Sequence, residues 1–112
     1  MSGDGQGIMD PQPGQRYVEF MKDSYGAKKS EDGGLDSGLD VTTKSGYGNR
    51  IYISKVDGIA VQAGAQVAVG DRIVALNGKK IESYGSLEDI RSEFYKKNTI
   101  AMVTDPTMLP GK

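Results

Sequence analysis

The stretch that decides the fold is VGDRIVALNG, residues 69–78. An apolar run ends there at Asn77-Gly78, and Asn-Gly after such a run is typical of the type I′ turn of a β-hairpin. We therefore predict a strand over residues 71–78, closed by that turn, with KKIE (79–82) as its short partner strand. The side chains assigned to the core are Val74 and Leu76.

Further strands are predicted on both sides of this hairpin. RYVEFMKD (16–23) and RIYISKV (50–56) alternate between apolar and polar residues, which is typical of half-buried strands. LDVTTKS (39–45) is rich in β-formers, and GYGN (46–49) has turn chemistry, so residues 39–56 are predicted to form a hairpin. TIAMVTD (99–105) is predicted to be the last strand.

Two helices are predicted between the strands. An Ala-rich segment indicates one short helix over residues 60–64, ended by Gly64. The segment SLEDIRSEFYKKN (86–98) indicates a longer helix, with Ser86 as N-cap and Asp89 as part of a capping box. The apolar face of this helix carries Leu87, Ile90 and Phe94.

The predicted fold class is mostly β with two helices (α+β), arranged as a small, partly open barrel or sandwich. All four prolines lie near the chain ends. Residues 1–14 are predicted to be disordered, residues 15–105 to form one domain, and residues 106–112 to be a flexible tail. The polar stretch 24–38 is a long loop for so small a domain, which favours a functional or mobile loop.

Composition excludes several classes of function. Fourteen basic and 15 acidic residues give a net charge of −1, which removes the electrostatic case for nucleic acid. The chain has no cysteine and no histidine, so Ser37 and Thr43 lack a histidine base and no His- or Cys-based zinc site exists. We predict neither an enzyme nor a cofactor or metal. With no run of 18 apolar residues, a cytoplasmic protein, or a soluble piece of a larger one, is expected.

The order of elements and three motifs resemble the PDZ domain over about residues 16–104. The first motif is Gly38-Leu39-Asp40-Val41, at the place of the family's Gly-Leu-Gly-Phe-type loop. The second is the 69–78 segment with Ala63-Gly64 before it, and the third is Ser86-Leu87-Glu88-Asp89, which begins the long helix. The loop follows the first strand, as in animal-type PDZ domains, whereas many bacterial protease-associated versions are permuted.

The resemblance implies that the domain binds the free C-terminus of a partner, added as an antiparallel strand beside the second strand. The terminal carboxylate would lie on consecutive backbone amides of the loop, which form an anion-binding nest. The residues implied for this loop are Gly38, Leu39, Asp40 and Val41. The residues implied for main-chain pairing with the peptide are Thr42, Thr43 and Lys44.

The long helix is expected to set specificity. The implied pocket for the last peptide side chain is lined by Leu39, Val41, Phe94 and, at depth, Ile90. Core packing alone also explains Ile90 and Phe94. Leu87 stands where many family members carry a histidine that selects Ser or Thr two residues before the terminus, so a hydrophobic-x-hydrophobic terminus is expected instead. Arg91 lies one turn further on, where it either pairs with an acidic ligand side chain or is solvated.

The expected partners are C-terminal tails of other proteins, such as membrane receptors or channels, bound by a monomer. The lysines are interpreted as solvated surface rather than as a lipid site: Lys79, Lys80, Lys96 and Lys97.

An alternative reading remains open, that of an assembly or regulatory module whose groove is weak or closed. Such a module would bind an internal segment of a partner or dimerise. Asp40 lies beside the expected carboxylate, at a cost of about 0.5–1 kcal/mol. The preceding loop is acidic at Glu31, Asp32 and Asp36, while Lys28 and Lys29 are candidates to help hold the carboxylate.

Overall fold

The computed structural model of the chain describes residues 4–25, 34–43 and 50–106. The strands in these residues are β1 (Arg16–Met21), β2 (Leu39–Thr42), β3 (Ile51–Val56), β4 (Arg72–Leu76), β5 (Lys79–Lys80) and β6 (Thr99–Asp105). The α-helices are α1 (Asp4–Met9), α2 (Gly58–Gln62) and α3 (Leu87–Lys96), and 3₁₀ turns occupy Lys22–Tyr25 and Ile81–Ser83.

The strands form one antiparallel sheet in the order β1-β6-β4-β3-β2, with β5 paired to β4. β1 and β2 are therefore the end strands of an open sheet, and α3 packs against β2. The predicted α+β class is confirmed, and the expected partly open barrel or sandwich takes the form of one open sheet. β1 precedes the loop and β2 in the chain and pairs with β6, which is the strand order expected from the resemblance.

The core lies between the sheet and α3. Val18 and Phe20 face inward from β1, and the alternating pattern of that strand explains why. Ile90 and Phe94 of α3 are each 2% exposed, as the apolar stripe of the helix requires. Other buried side chains that join this core are Leu39, Val41, Ile51, Ile53, Ile73, Leu76, Ile81, Ile100 and Met102.

The strand predicted over residues 71–78 and its partner at residues 79–82 form a hairpin, with two adjustments. Asn77 and Gly78 both have positive φ, 50° and 86°, as a type I′ turn requires. β5 is limited to two residues because the chain then enters a 3₁₀ turn that buries Ile81. Val74 is half-buried rather than a core residue, because the register between β4 and β6 shifts between Ile73 and Ala75.

In the N-terminal segment, where the sequence predicts disorder over residues 1–14, Asp4–Met9 form α1. This helix contacts β4 and β5, and the Gly78 N–H donates to the Met9 Sδ at 3.3 Å. Its two glycines disfavour helix, so tertiary contact rather than local propensity accounts for it. Residues 107–112, where a flexible tail is expected, lie outside the described residues.

The helices between the strands follow the sequence signals closely. α2 spans Gly58–Gln62, with Asp57 as N-cap, so it begins and ends two residues before the predicted helix over residues 60–64. α3 begins as predicted, because the Ser86 Oγ accepts a hydrogen bond from the Asp89 N–H at 3.2 Å. The N-cap places Leu87 as the first helical residue, which is the register assumed for the groove.

Candidate functional site

The groove between β2 and α3 is positioned by Gly38. Gly38 has a φ of +86°, and a Cβ at this residue would overlap the carbonyl oxygen of Asp57. The Gly38 carbonyl in turn accepts a hydrogen bond from the Asp57 N–H at 2.8 Å. Glycine is therefore required here by a sharp turn and a close backbone approach, which brings the chain into β2 at a defined position.

Three of the four backbone amides predicted to form the nest already donate hydrogen bonds to side chains. The Gly38 N–H donates to the Asp36 Oδ1 at 2.9 Å, and the Leu39 N–H to the Ser37 Oγ at 3.3 Å. The Val41 N–H donates to the Asp40 Oδ1 at 2.8 Å. In the first two bonds, the side chain of Asp36 or Ser37 accepts from the backbone N–H two residues further along the chain, which is an Asx- or ST-type contact. The Asp-Ser-Gly-Leu sequence carries that signal, which the sequence analysis missed.

Arg91 spans the groove from α3 to β2. Its Nε donates to the Asp40 Oδ1 at 2.8 Å, and its Nη2 donates to the Val41 carbonyl at 3.2 Å. Its Nη1 donates to the Glu88 Oε2 at 2.9 Å, one turn back on the helix. The sequence placed Arg91 at the groove, and here it pairs with a carboxylate of its own chain.

The ion pair shifts the pKa of both Asp40 and Arg91 in the direction that favours the charged form. Burial acts to raise the pKa of Asp40, but hydrogen bonds from Arg91 and the Val41 N–H outweigh it, so that the pKa is lowered from its ordinary value of 3.8. The hydrogen bond to Asp40 raises the pKa of Arg91. Because the Arg91 and Asp40 side chains remain 40% and 42% exposed, the pair is an accessible one that solvent screens.

Two cavities lie along the groove, one toward each end of α3. The cavity at the N-terminal end has a volume of about 450 Å³, and the one at the C-terminal end about 240 Å³. The larger is lined by Thr43, Ile51, Ile81, Glu82, Tyr84, Gly85, Ser86, Leu87 and Ile90. The smaller is lined by Asp36, Ser37, Leu39, Asp40, Lys55, Arg91, Phe94 and Tyr95.

Tyr84 fixes one wall of the larger cavity. Its hydroxyl donates to the Leu76 carbonyl at 2.9 Å, which ties the segment before α3 to the end of β4. Burial, with a smaller contribution from the charge of Glu93, raises the pKa of Tyr84 to about 12. The phenol therefore stays protonated as a donor at any physiological pH.

The residues predicted for the pocket are divided between these cavities. Leu39 and Phe94 line the smaller cavity together, next to the loop. Ile90 lies at the larger cavity with Leu87 instead. Val41 is fully buried in the core and is not among the lining residues of either cavity.

The strand-pairing residues are only partly described. Thr42 ends β2, opposite Tyr52, and Thr43 follows it at the larger cavity. Lys44 lies outside the described residues, as do the candidate bases Lys28 and Lys29 and the acidic residues Glu31 and Asp32.

Lys22 is a site residue that the sequence analysis missed. It is 1% exposed, and its Nζ donates to the carbonyls of Leu35, Phe94 and Tyr95 at 2.6, 2.6 and 2.8 Å. The ammonium thereby satisfies carbonyls at the C-terminal end of α3 and holds the loop against it. The signal was available, because residue 22 continues the inward alternation of Val18 and Phe20.

Residues 4–25, 34–43 and 50–106 contain no group of three or more acidic side chains placed to hold a metal ion. None of the helices in these ranges is long and apolar enough to cross a membrane.

Comparison with known proteins identifies the class. A family model described as the PDZ domain matches residues 27–104, well over half of the 112-residue chain. The chain therefore belongs to the PDZ family, whose members are peptide-binding protein-interaction modules rather than enzymes. Its partners are accordingly peptides or proteins. No curated protein matches the chain.

Proposed function

We propose that the chain binds the free C-terminal segment of a partner protein as an added antiparallel strand. The segment would lie beside β2, in the groove bordered by α3, with its carboxylate at the amides of residues 38–41. One observation carries this proposal: β2 ends the sheet order, and α3 lies beside it with a cavity toward each of its ends. An end strand next to a helix is the geometry that strand addition uses.

The two cavities support a hydrophobic-x-hydrophobic terminus. Alternate residues of a strand face the same side, so the last residue and the one two before it would both face α3. The last side chain would enter the smaller cavity at Leu39 and Phe94, next to the loop. The earlier one would enter the larger cavity, where Leu87 offers no hydrogen-bond donor and the floor is apolar at Ile51 and Ile90.

A second candidate function is favoured by one specific observation. Arg91 and Asp40 already occupy the edge of β2 at Val41. If this occupation is permanent, the domain is an assembly or regulatory module whose groove stays closed. The partners proposed here are C-terminal tails, such as those of membrane receptors or channels, bound by a monomer. Binding of such tails requires that the groove open.

Isotope-labelled protein titrated with short peptides tests the proposal. Peptides ending in Val-x-Val and Ser-x-Val are compared, each with a free and an amidated C-terminus, while backbone amide shifts are followed. We expect residues 38–43 and 87–94 to shift with the free acids and not with the amides, and Val-x-Val to bind more tightly. Absence of shifts at millimolar peptide would favour the closed module. A preference for Ser-x-Val would contradict the role given to Leu87.

A further inference from the structure

The polar groups of Val41 at the edge of β2 are both occupied by the Asp40–Arg91 pair. The Val41 N–H donates to the Asp40 carboxylate, and the Val41 carbonyl accepts from the Arg91 Nη2. An antiparallel strand forms its ladder with the same kinds of main-chain N–H and C=O groups. A peptide that adds to β2 at this residue must therefore displace the pair, so that its binding is an exchange.

The geometry also marks where an incoming carboxylate would lie. A single oxygen, the Asp40 Oδ1, accepts hydrogen bonds from both the Val41 N–H and the Arg91 Nε, each at 2.8 Å. A peptide carboxylate oxygen that takes over the Val41 N–H would occupy that position, within reach of the same Nε. Arginine suits this transfer, because its rigid fork of donors matches a carboxylate and its charge is permanent.

We propose that Asp40 is a built-in competitor for the peptide's terminal carboxylate, and that Arg91 passes from Asp40 to the peptide when it binds. This inference rests on the proposed function. Arg91 thereby becomes a carboxylate-binding residue contributed by the helix, in addition to the loop amides.

The exposure of the ion pair allows Arg91 to pass from Asp40 to the peptide and back. Ion pairs with both side chains about two-fifths exposed are weak, so a ligand with several main-chain contacts can replace Asp40. Lys55 pairs in register with Asp40 and also lines the smaller cavity. Removing the Asp40 carboxylate would leave Arg91 without its partner on β2, while Lys55, which pairs with Asp57 at 3.9 Å, still lines the cavity that the peptide acid approaches.

The test measures peptide affinity by calorimetry, using a peptide ending in Val-Ala-Val as the free acid and as the amide. Asp40→Ala should bind the free acid about fivefold more tightly than wild type, the equivalent of ~1 kcal/mol for an exposed ion pair. Asp40→Asn, which keeps an acceptor for the Val41 N–H, should give a smaller gain. Glu88→Gln removes the same charge from the other carboxylate partner of Arg91. Its affinity for the free acid should stay within about twofold of the wild-type affinity.

The role of Arg91 is isolated in the Asp40→Ala background. Adding Arg91→Gln there should weaken free-acid binding about fivefold and leave amide binding unchanged, because the competitor is already absent. The Arg91 Nε–H resonance should shift when the free acid, but not the amide, is added to Asp40→Ala. Matched unfolding transitions for all variants establish that they fold alike.

The results that would contradict the exchange differ from those that would contradict the proposed function. If Asp40→Ala binds the free acid no better than wild type does, while both still prefer it to the amide, the exchange is wrong and the proposed function stands. If the double variant binds the free acid as tightly as Asp40→Ala, Arg91 does not contact the carboxylate. If neither wild type nor Asp40→Ala distinguishes acid from amide, the proposed function itself is overturned.

Discussion

The two ends of the groove beside α3 are built from different kinds of side chain. At the Leu87 end, the cavity floor consists of Ile51, Ile81 and Ile90, which are also core residues. At the Phe94 end, the smaller cavity has charged walls that already pair with each other, with Arg91 on Asp40. An apolar floor is set by folding, whereas partly exposed ion pairs change partners at little cost. The groove therefore combines a rigid apolar floor at the Leu87 end with an exchangeable ion pair beside Leu39 and Phe94 at the other end.

The largest effect is expected from Phe94→Ala, which tests whether the Phe94 end of the groove also rests on buried core packing. Phe94 is 2% exposed, so its truncation should lower the free energy of unfolding by about 3–5 kcal/mol, measured by urea denaturation. The matched variant Leu87→Ala removes a half-buried side chain at the opposite end. It should cost about 1 kcal/mol or less in stability while weakening Val-x-Val peptides. Equal stability losses would contradict the contrast between the two ends.

Lys22→Met tests how the polar end is held in place. The substitution keeps an unbranched side chain but removes the ammonium from three carbonyls, so we expect a loss of about 2–3 kcal/mol in unfolding free energy. The Leu35 N–H, which donates to the Tyr95 carbonyl at 2.8 Å, should also exchange with solvent faster. Lys80→Met, at an exposed lysine, is the control. An unchanged exchange rate at Leu35 would show that Lys22 does not anchor the loop.

The smallest effect is the pH dependence of the Asp40–Arg91 pair. The folded-state pKa of Asp40 is lowered, so its contribution to stability is present above the ordinary value of 3.8 and is lost as pH falls through the folded value. The melting temperature of wild type should exceed that of Asp40→Asn by a small, constant amount from about pH 5 to 7, and the two should begin to converge as pH falls below about 4. A difference that persists in acid would mean that charge is not what holds the pair.

Much of the architecture was readable from local patterns. The Asn77-Gly78 turn, the Ser86 N-cap and the alternation of β1 depend on interactions within a few residues, so they appear in the sequence as motifs. The exception is α1, whose glycines gave no helical signal and whose formation depends on contacts with β4 and β5. Val74 was misplaced for a similar reason, because a register shift between strands has no local signature.

The resemblance implied the position of the groove, but not which charged side chains pair along it. The sequence by itself determined that Gly38 precedes a strand and that Leu87 begins α3, while the resemblance to the PDZ domain implied that Arg91 lies at the groove. Only the tertiary structure decided that Arg91 meets Asp40, 51 positions away, and that Lys22 reaches carbonyls as far as 73 positions away. Secondary structure follows from short-range sterics and hydrogen bonds, whereas the choice of partner for a long charged side chain depends on what the completed fold brings within reach.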